Sequence, residues 1–250
     1  MNLSATNMNK VALITGAAKR IGAAIARQLH GQGINIVLHY RHSKNHAQAL
    51  CSELNVQRNN SATILQADLS DLKAINELAM LAQQYWGQVD ILINNASSFY
   101  PTEIGNSTDQ QWQDLFNSNL KAPFFLSQAL APELKKHRGC IINMADIHAE
   151  RPLKNHSIYC CAKAGNVMLT KSLARELAPE VRVNGVAPGA ILWPEEALNV
   201  DEKNEIIERT ALKRAGSESD IAATVWFLVN SSPYITGQII PVDGGRTLSN

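Results

Sequence analysis

Tyr159 and Lys163 are the two side chains whose types and spacing most directly suggest acid–base chemistry. Four residues apart, they share one face if their segment is helical. An ammonium group beside a phenol favours the phenolate, so the sequence predicts that Lys163 lowers the pKa of Tyr159 towards working pH. Such a tyrosine can pass a proton while hydride moves from a nicotinamide. Asn119, in the segment NSNLKAPF, is a candidate third partner.

A glycine-rich turn, TGAAKRIG, follows the first β-rich run and opens a helical stretch. Gly16 permits a tight turn, and Gly22 permits close packing of the helix on the strand. The amino terminus of this helix offers free N–H groups and a positive dipole end to a pyrophosphate. Lys19 and Arg20 add two cations within the turn. Because strand, turn and helix follow in the required order, the segment predicts a dinucleotide site.

The end of the second predicted strand indicates which cofactor binds. NAD sites carry a carboxylate about 20 residues beyond the glycines, where it binds the ribose hydroxyls. This chain instead has the run HYRHSK from His39 to Lys44, and the next acid is Glu53. Arg41 can fork onto a phosphate, and Ser43 can donate at the start of the next helix. We therefore predict NADP(H), because this basic cluster would attract a 2′-phosphate.

Two further positions fit a bound nucleotide. Asp68 ends the third predicted strand in QADL, where it could accept from the adenine amine or, as an alternative of similar weight, cap the following helix. Asn95 and Ala96 close the fourth predicted strand in NNA, where amide and small side chains let the backbone approach a ribose.

Short apolar runs of β-rich composition alternate with longer helical stretches. The predicted strands are Lys10–Thr15, Ile34–His39, Ala62–Gln66, Val89–Ile93, Cys140–Met144, Val181–Val186 and Gln238–Val242. The predicted helices are Arg20–His30, Asn45–Arg58, Leu72–Trp86, Asp109–His137, Ser157–Ala178 and Ser219–Val229. Nearly continuous apolar strands are typical of strands covered on both faces. The alternation predicts an α/β fold: a Rossmann-like, doubly wound, parallel seven-stranded sheet flanked by helices on both faces.

No linker interrupts this alternation, so residues 10–250 are expected to form a single dinucleotide-binding catalytic domain. Residues 1–9 lack the apolar stretch of a signal peptide and are expected to be a flexible leader. The acidic segment 190–210 carries Pro194 and breaks the rhythm. It would lie above the carboxyl ends of the strands, where open α/β sheets bind ligands, so we expect it to cover the substrate.

Composition argues against several classes of function. The chain has 250 residues, 45% of them hydrophobic, which suffices for a full core. A net charge of +1 provides no field that would recruit nucleic acid or an anionic membrane, and the apolar runs are too short to span a bilayer. The four cysteines lack metal-ligand spacing, so we expect reduced thiols, a cytoplasmic location and no metal.

Taken together, the motifs resemble the short-chain dehydrogenase/reductase family. The resemblance rests on TGxxxxxG, NNA, the Asn119 segment, YxxxK, the Pro188-Gly189 turn and YITGQIIPVDGG. It implies that Tyr159 is the acid/base, that Lys163 binds the nicotinamide ribose and assists the tyrosine, and that Asn119 holds a proton-relay water. Including the positions argued above, the expected cofactor contacts are Gly16, Lys19, Arg20, Ile21, Gly22, Tyr40, Arg41, His42, Ser43, Asp68, Leu69, Asn95, Ala96, Ser97, Tyr159, Lys163, Pro188 and Gly189.

Asp146 departs from the family pattern, which has a serine thirteen residues before the tyrosine. Carbonyl reduction builds negative charge on oxygen, and a carboxylate about 4 Å away opposes this by roughly 4 kcal/mol at an effective dielectric constant of about 20. That energy corresponds to roughly a thousandfold in rate. Reduction of a C=N bond differs, because its reactive form is protonated. A nearby carboxylate stabilises that form, or a protonated Asp146 supplies the proton.

Other departures agree with C=N chemistry. Arg20 replaces the second glycine of the usual fingerprint, and NNA is extended as NNASSFYP. Phe99 would lie beside the nicotinamide and stack on a flat heterocycle, and Ser97 would hydrogen-bond its edge. The combination resembles the pteridine reductases in particular. This resemblance implies a pterin between Phe99 and the nicotinamide, contacts from Arg20 and Ser97 to the pterin and the cofactor phosphates, and proton donation by Asp146 and Tyr159.

The predicted function is NADPH-dependent reduction of a C=N bond in a pterin or folate. A dihydromonapterin- or dihydrofolate-type reductase is the nearest alternative, and a short-chain reductase of small carbonyl compounds or quinones is a second. A protein that senses NADPH without turnover is a third alternative, which the presence of Tyr159, Lys163 and Asn119 disfavours. The family resemblance also implies a homotetramer built on the fourth and fifth predicted helices and the C-terminal segment.

Overall fold

A computed structural model of the chain describes residues 10–191 and 200–248. Its centre is one sheet of seven parallel strands in the order β3-β2-β1-β4-β5-β6-β7. The strands are β1 Val11–Ile14, β2 Asn35–Tyr40, β3 Ala62–Gln66, β4 Ile91–Asn94, β5 Cys140–Met144, β6 Arg182–Pro188 and β7 Ile239–Val242. The predicted fold class is confirmed, with the strand order reversing between β1 and β4, where open α/β sheets form their ligand crevice.

Helices cover both faces of this sheet. They are α1 Arg20–Gly31, α2 Lys44–Gln57, α3 Leu72–Trp86, α4 Asp109–Phe116, α5 Ala122–Lys136, α6 Ser157–Glu176, α7 Val200–Glu208 and α8 Glu218–Trp226. Residues of α1, α2 and α8 pack on one face, and residues of α3, α5 and α6 pack on the other. Because successive strand side chains point to opposite faces, Leu13 joins one core and Ile14 joins the other.

The predicted single helix from Asp109 to His137 is wrong in one respect. A π-helical turn, Asn117–Lys121, separates α4 from α5, and the Ala122 N–H donates to the Asn117 carbonyl five residues back. Pro123 follows directly and has no N–H for the carbonyl four residues before it, so the regular α-helical ladder cannot pass through this point. Such π turns often occur at functional sites, and this one carries Asn119.

Two predictions fall wholly or partly outside the described residues. The leader at 1–9 lies outside them, as do residues 192–199 of the 190–210 segment. The described remainder of that segment includes α7, a helix that we did not predict. In the described ranges, no helix is long and apolar enough to cross a membrane. The same ranges contain no cluster of three or more His, Cys, Asp or Glu side chains arranged to hold a metal ion.

Candidate active site

The turn between β1 and α1 brings the backbone unusually close to the end of β4. Gly16 has a φ of 61°, in the left-handed region that glycine adopts without steric cost. A Cβ on Gly22 would lie 2.3 Å from the Gly16 carbonyl oxygen and 2.7 Å from Asn95 Nδ2. Asn95 Nδ2 donates to the carbonyls of Thr15 at 2.8 Å and Gly16 at 3.1 Å. The two glycines therefore leave a concave space in the β1–α1 turn, which we call the cradle and which larger side chains would fill.

His39 supports this cradle from β2. Its Nδ1 accepts from the Gly16 N–H at 3.1 Å, so the proton lies on Nε2, 3.1 Å from the Ala67 carbonyl oxygen. Burial lowers the pKa of His39 to about 4. The residue is therefore neutral at physiological pH, and the charge of the basic cluster comes from other side chains of the run HYRHSK.

A cleft of about 430 Å³ opens beside this turn. Fourteen of the predicted cofactor residues line it: Gly16, Lys19, Arg20, Ile21, Gly22, Tyr40, Arg41, His42, Ser43, Asp68, Leu69, Asn95, Ala96 and Ser97. Sequence reasoning missed seven other lining residues: Ala18, His39, Ser70, Ser98, Asp114, Asn117 and Ser118. Five of the seven are next to a predicted site residue in the sequence: Ala18, His39, Ser70, Ser98 and Ser118. Asp114 belongs to α4, and only the tertiary fold brings it here.

Four predicted cofactor residues are not part of this lining. Tyr159 and Lys163 lie on α6, and Pro188 and Gly189 lie at the end of β6. Gly189 has a packing reason of its own, because a Cβ there would lie 2.6 Å from Asp243 Cβ. Its N–H donates to the Val242 carbonyl at 3.0 Å, which joins the end of β6 to β7.

Two helix amino termini open into the cleft. Lys19 precedes α1 and Ser43 precedes α2, and neither side chain forms a capping hydrogen bond within the described residues. The first N–H groups of a helix lack intrahelical partners, and the helix dipole adds partial positive charge. Each end is therefore suited to a phosphate group.

Arg41 is held between two carboxylates in the same cleft. Its Nη2 lies 3.0 Å from Asp68 Oδ2, and its Nη1 lies 4.0 Å from Asp114 Oδ1. Burial raises the pKa of Asp68, but hydrogen bonds from Ser70 and the charge of Arg41 outweigh it, so the pKa is lowered overall. The side chain of Asp71, and not that of Asp68, caps α3 by accepting from the Lys73 N–H. Our alternative interpretation of Asp68 as that cap is therefore wrong.

Tyr159 and Lys163 emerge from the first turns of α6 towards the end of β5. Tyr159 Oη donates to Asp146 Oδ2 at 2.6 Å, and Lys163 Nζ donates to the Met144 carbonyl at 2.8 Å. Asp146 Oδ1 accepts from the His148 N–H at 2.8 Å, which fixes the carboxylate at the start of a short 3₁₀ turn. The three side chains predicted to carry proton transfer thus meet at the carboxyl end of one strand.

The prediction that Lys163 lowers the pKa of Tyr159 is wrong. Burial, the negative charge of Asp146 and the hydrogen bond to Asp146 raise the pKa of Tyr159 well above its usual range. Burial also lowers the pKa of Lys163 to about 8, although Asp146 opposes that change. In the folded chain, Tyr159 is therefore held as a neutral phenol whose proton points at a carboxylate.

Comparisons with known proteins agree with this architecture. A family model described as enoyl-(acyl carrier protein) reductase, of the short-chain dehydrogenase class, matches residues 16–247. The chain belongs to the short-chain dehydrogenase/reductase family. It is 38% identical to the 3-oxoacyl-[acyl-carrier-protein] reductase FabG of Staphylococcus epidermidis, over 95% of this chain and 99% of that protein.

Two other relatives of this short-chain dehydrogenase/reductase carry different names. Pteridine reductase 1 of Leishmania tarentolae is 36% identical, over 96% of each chain. The 7alpha-hydroxysteroid dehydrogenase of Bacteroides fragilis is 34% identical, over 97% of this chain and 96% of that protein. Since identities of 38% and 36% differ little, overall similarity does not single out the pteridine reductases, and substrate choice has to be argued from the site.

Asn119 of this short-chain dehydrogenase/reductase is buried and fully engaged. Its Nδ2 donates to the carbonyls of Ser98 and Leu115, each at 2.9 Å, and its Oδ1 accepts from Ser97 Oγ at 2.8 Å. The loop after β4 is thus bound directly to the π turn. Ser97 also lies close enough to Tyr159 to oppose the rise in the pKa of the phenol by a hydrogen bond.

Phe99 forms a partly open aromatic surface beside Tyr159. The two ring centroids lie 4.8 Å apart at 78°, an edge-on contact, and the side chain is 46% exposed. His156 stacks on the Phe99 ring at 4.8 Å and 16°. His156 thus covers one face of Phe99, and a flat ligand could stack only on the face that His156 leaves uncovered.

Arg20 occupies a backbone conformation that disfavours it. Its φ of 54° lies in the left-handed region, where a residue with a Cβ costs roughly 1 kcal/mol or more. A glycine would avoid that cost, and the family fingerprint usually has one at this point. The position lines the cofactor cleft. An arginine in a strained conformation at this place points to a binding role for its guanidinium group.

Proposed function

We propose that this oxidoreductase reduces a C=N bond of a pterin or folate with NADPH. The observation that carries the proposal is the 2.6 Å hydrogen bond between Tyr159 Oη and Asp146 Oδ2, at a position where the family pattern has a serine. A substrate atom that takes the phenol proton must approach within hydrogen-bonding reach of Tyr159, and hence close to the carboxylate.

That carboxylate discriminates between reaction types. A carbonyl oxygen gains negative charge as hydride arrives, and a carboxylate about 4 Å away opposes this by roughly 4 kcal/mol at an effective dielectric constant of about 20. A protonated C=N group loses positive charge in the same step, so the carboxylate stabilises the reactive form before transfer. The site therefore favours binding of an iminium-like ring over stabilisation of an alkoxide.

The protonation states of Tyr159 and Lys163 are consistent with this reaction. With its pKa raised well above the usual range, Tyr159 keeps its proton at neutral and mildly alkaline pH. Lys163 has a pKa of about 8, so its charge at neutral pH faces the carboxylate and the Met144 carbonyl. We assign Tyr159 as the immediate proton donor: its proton lies on the hydrogen bond to Asp146 Oδ2 and turns to the substrate nitrogen when the ring binds. Lys163 maintains the charge balance as the phenolate forms.

The cleft residues fit NADPH. Gly16 and Gly22 make room for a pyrophosphate at the amino terminus of α1, and Arg41 lies where the amino terminus of α2 opens into the cleft. We assign Arg41, with Ser43, to the 2′-phosphate, and Asp68 and Leu69 to the adenine. When bound, NADPH supplies the hydride. Arg41 would exchange part of its pairing with Asp68 for the phosphate, a bidentate contact that arginine makes well.

The open face of Phe99 fits a planar heterocycle. An aromatic ring stacked there would lie next to Tyr159, and we assign Ser97 and Arg20, which line the cofactor cleft, to the edge of that ring. A pterin has this shape and carries the required ring C=N bond. Phe99, Ser97, Arg20, Asp146 and Tyr159 are therefore the proposed substrate contacts.

A substrate panel tests the proposal directly. Purified protein is assayed for NADPH oxidation with dihydrobiopterin, dihydrofolate, dihydromonapterin and folic acid, and with an acetoacetyl thioester and simple ketones. We expect turnover with at least one pterin or folate, and much slower turnover with NADH. Good turnover of a ketone or thioester with none of the pterins would refute it.

A 3-oxoacyl thioester reductase is the second candidate, favoured by the 38% identity to the Staphylococcus epidermidis protein of that name. A dihydromonapterin- or dihydrofolate-type reductase with a narrower range is a third, and the same panel separates all three. The homotetramer, the cytoplasmic location, the flexible leader at 1–9, the single-domain organisation and the substrate-covering role of residues 190–210 remain predictions.

A further inference from the structure

Helix α6 carries a buried polar stripe that continues beyond Tyr159 and Lys163. Asn166 and Thr170 follow at intervals of three and four residues, so all four side chains share one face. Each of the four is at most 4% exposed. The first two bond to Asp146 and the Met144 carbonyl, whereas Asn166 Nδ2 donates to the Asn119 carbonyl at 2.9 Å.

The Asn119 carbonyl has no α-helical donor four residues ahead. In a regular α-helix it would accept from the N–H of residue 123, but that residue is Pro123 and has none. The π turn Asn117–Lys121 and this proline together break the ladder. Asn166 supplies a side-chain amide N–H to this carbonyl, which Pro123 cannot serve.

The amide of Asn166 is costly to bury. Its Oδ1 is inaccessible to solvent and has no hydrogen-bond partner within the described residues, so half of the amide is unsatisfied. An apolar side chain of similar shape would avoid that penalty. What an apolar side chain cannot provide is the Nδ2 donor to Asn119.

Most of the other hydrogen bonds around Asn119 hold its side chain. Ser97, Ser98 and Leu115 engage the side-chain amide. The hydrogen bond from Asn166 fixes the main chain of the π turn relative to α6, the helix that carries Tyr159 and Lys163. Leu120 of the same turn packs on Gly165 of α6, where an added Cβ would lie 2.8 Å from Leu120 Cδ2. The contact from Asn166 is thus the polar part of the packing that sets the spacing between the predicted proton-relay residue and the proton donor.

We propose that Asn166 is a positioning residue that holds the Asn119 turn in register with Tyr159 and Lys163. The proposal rests on the proton-transfer site of the proposed function and is independent of which substrate is reduced. It predicts that loss of Asn166 Nδ2 slows the chemical step, since a displacement of about 1 Å can cost about a hundredfold in rate. Binding of NADPH should change little, because Asn166 lies outside the cleft.

The test compares Asn166→Leu with Thr170→Val. Thr170 is equally buried on the same stripe, and its Oγ1 accepts from Asn143 Nδ2 and donates to the Asn166 carbonyl, each at 2.9 Å. Thr170→Val therefore removes two buried hydrogen bonds and leaves the contact from Asn166 Nδ2 to Asn119 in place. Both variants should unfold at lower temperature than the wild type. For the best substrate of the panel, only Asn166→Leu should lower kcat, by about tenfold to a hundredfold, with KM and the NADPH Kd nearly unchanged.

A second readout does not require turnover. Amide hydrogen exchange, followed by mass spectrometry on peptides covering residues 115–122, should accelerate in Asn166→Leu and stay at the wild-type rate in Thr170→Val. If the panel finds no substrate, exchange alone decides, so failure of the proposed function stays separate from failure of this inference. If Asn166→Leu does not fold, Asn166→Ala takes its place. A kcat loss no larger than that of Thr170→Val, or unchanged exchange, would overturn the proposal.

Discussion

Asp146 and Tyr159 show how a single side chain can change what a shared catalytic frame does. The carboxylate accepts a hydrogen bond from the phenol at 2.6 Å and is one of the causes that raise the pKa of Tyr159. It also raises the pKa of Lys163, against the lowering that burial causes. With a serine at this position, both electrostatic effects of the carboxylate would disappear.

Asp146→Ser should therefore change substrate choice and pH profile together. We expect kcat for a pterin to fall by up to about a thousandfold, with little change in the NADPH Kd. Without the carboxylate, the pKa values of Tyr159 and Lys163 both decrease, so the alkaline limb of the kcat profile should move to lower pH. Steady-state rates between pH 6 and 10, with a fluorescence titration of NADPH, measure both effects. Unchanged pterin turnover would contradict the electrostatic argument.

Arg41→Ala should weaken NADPH binding about tenfold to a hundredfold and leave NADH binding nearly unchanged. A charge-assisted hydrogen bond contributes about 1.5–3 kcal/mol, and only NADPH carries the phosphate that Arg41 is proposed to bind. The matched control is Arg27→Ala, which removes an exposed arginine paired with Glu53 outside the cleft lining. Equal losses for the two cofactors would count against the assignment of Arg41.

At the scale of elements, the β1–α1 turn depends on how closely α1 approaches β4. The Gly22 Cα faces the Gly16 carbonyl and Asn95, so an added methyl group has no space. The other end of α1 is different, because Gly31 is exposed and has no atom within 4 Å of an added Cβ among the described residues.

Gly22→Ala and Gly31→Ala should consequently have opposite effects. We expect Gly22→Ala to lower the free energy of unfolding by about 1–3 kcal/mol and to weaken NADPH binding, because the turn must shift. Gly31→Ala should raise the free energy of unfolding by up to about 1 kcal/mol through helix propensity. Urea denaturation and NADPH titration of both variants provide the measurement. Wild-type NADPH affinity in Gly22→Ala would show that the cradle is not needed.

At the scale of the whole molecule, the predicted homotetramer requires exposed surface on the helices that would form it. Phe124 on α5 is 40% exposed and Met168 on α6 is 60% exposed, on two helices that pack on the same face of the sheet. Large apolar side chains left on neighbouring helices are typical of surfaces that associate.

Charge introduced on those helices should dissociate the assembly. We expect Phe124→Glu combined with Met168→Glu to reduce a tetramer to smaller species, because an interface buries charge only at high cost. Met80→Glu is the control, since Met80 is 52% exposed on α3, outside the two helices. Sedimentation velocity of wild type and variants measures the mass. A monomeric wild type would refute the tetramer prediction at once.

The α/β fold could be predicted from sequence because it depends on local patterns. Seven apolar runs alternate with helical stretches, and all seven predicted strands are present with both ends within two residues of the prediction. Parallel strands place their carboxyl ends together, so the residues following β1, β2, β3 and β4 could be assigned to one cleft.

The tertiary structure decided what depends on contacts between distant segments. Sequence alone placed Tyr159, Lys163 and Asp146 together, but the direction of the pKa shift follows from burial and from the 2.6 Å contact, neither of which spacing reveals. The pairing of Arg41 with Asp68, the arrival of Asp114 in the cleft and the donation from Asn166 to Asn119 likewise join residues 27 to 73 positions apart. Local residue types thus determined the elements and the chemistry available, and long-range packing decided the protonation states and the partners.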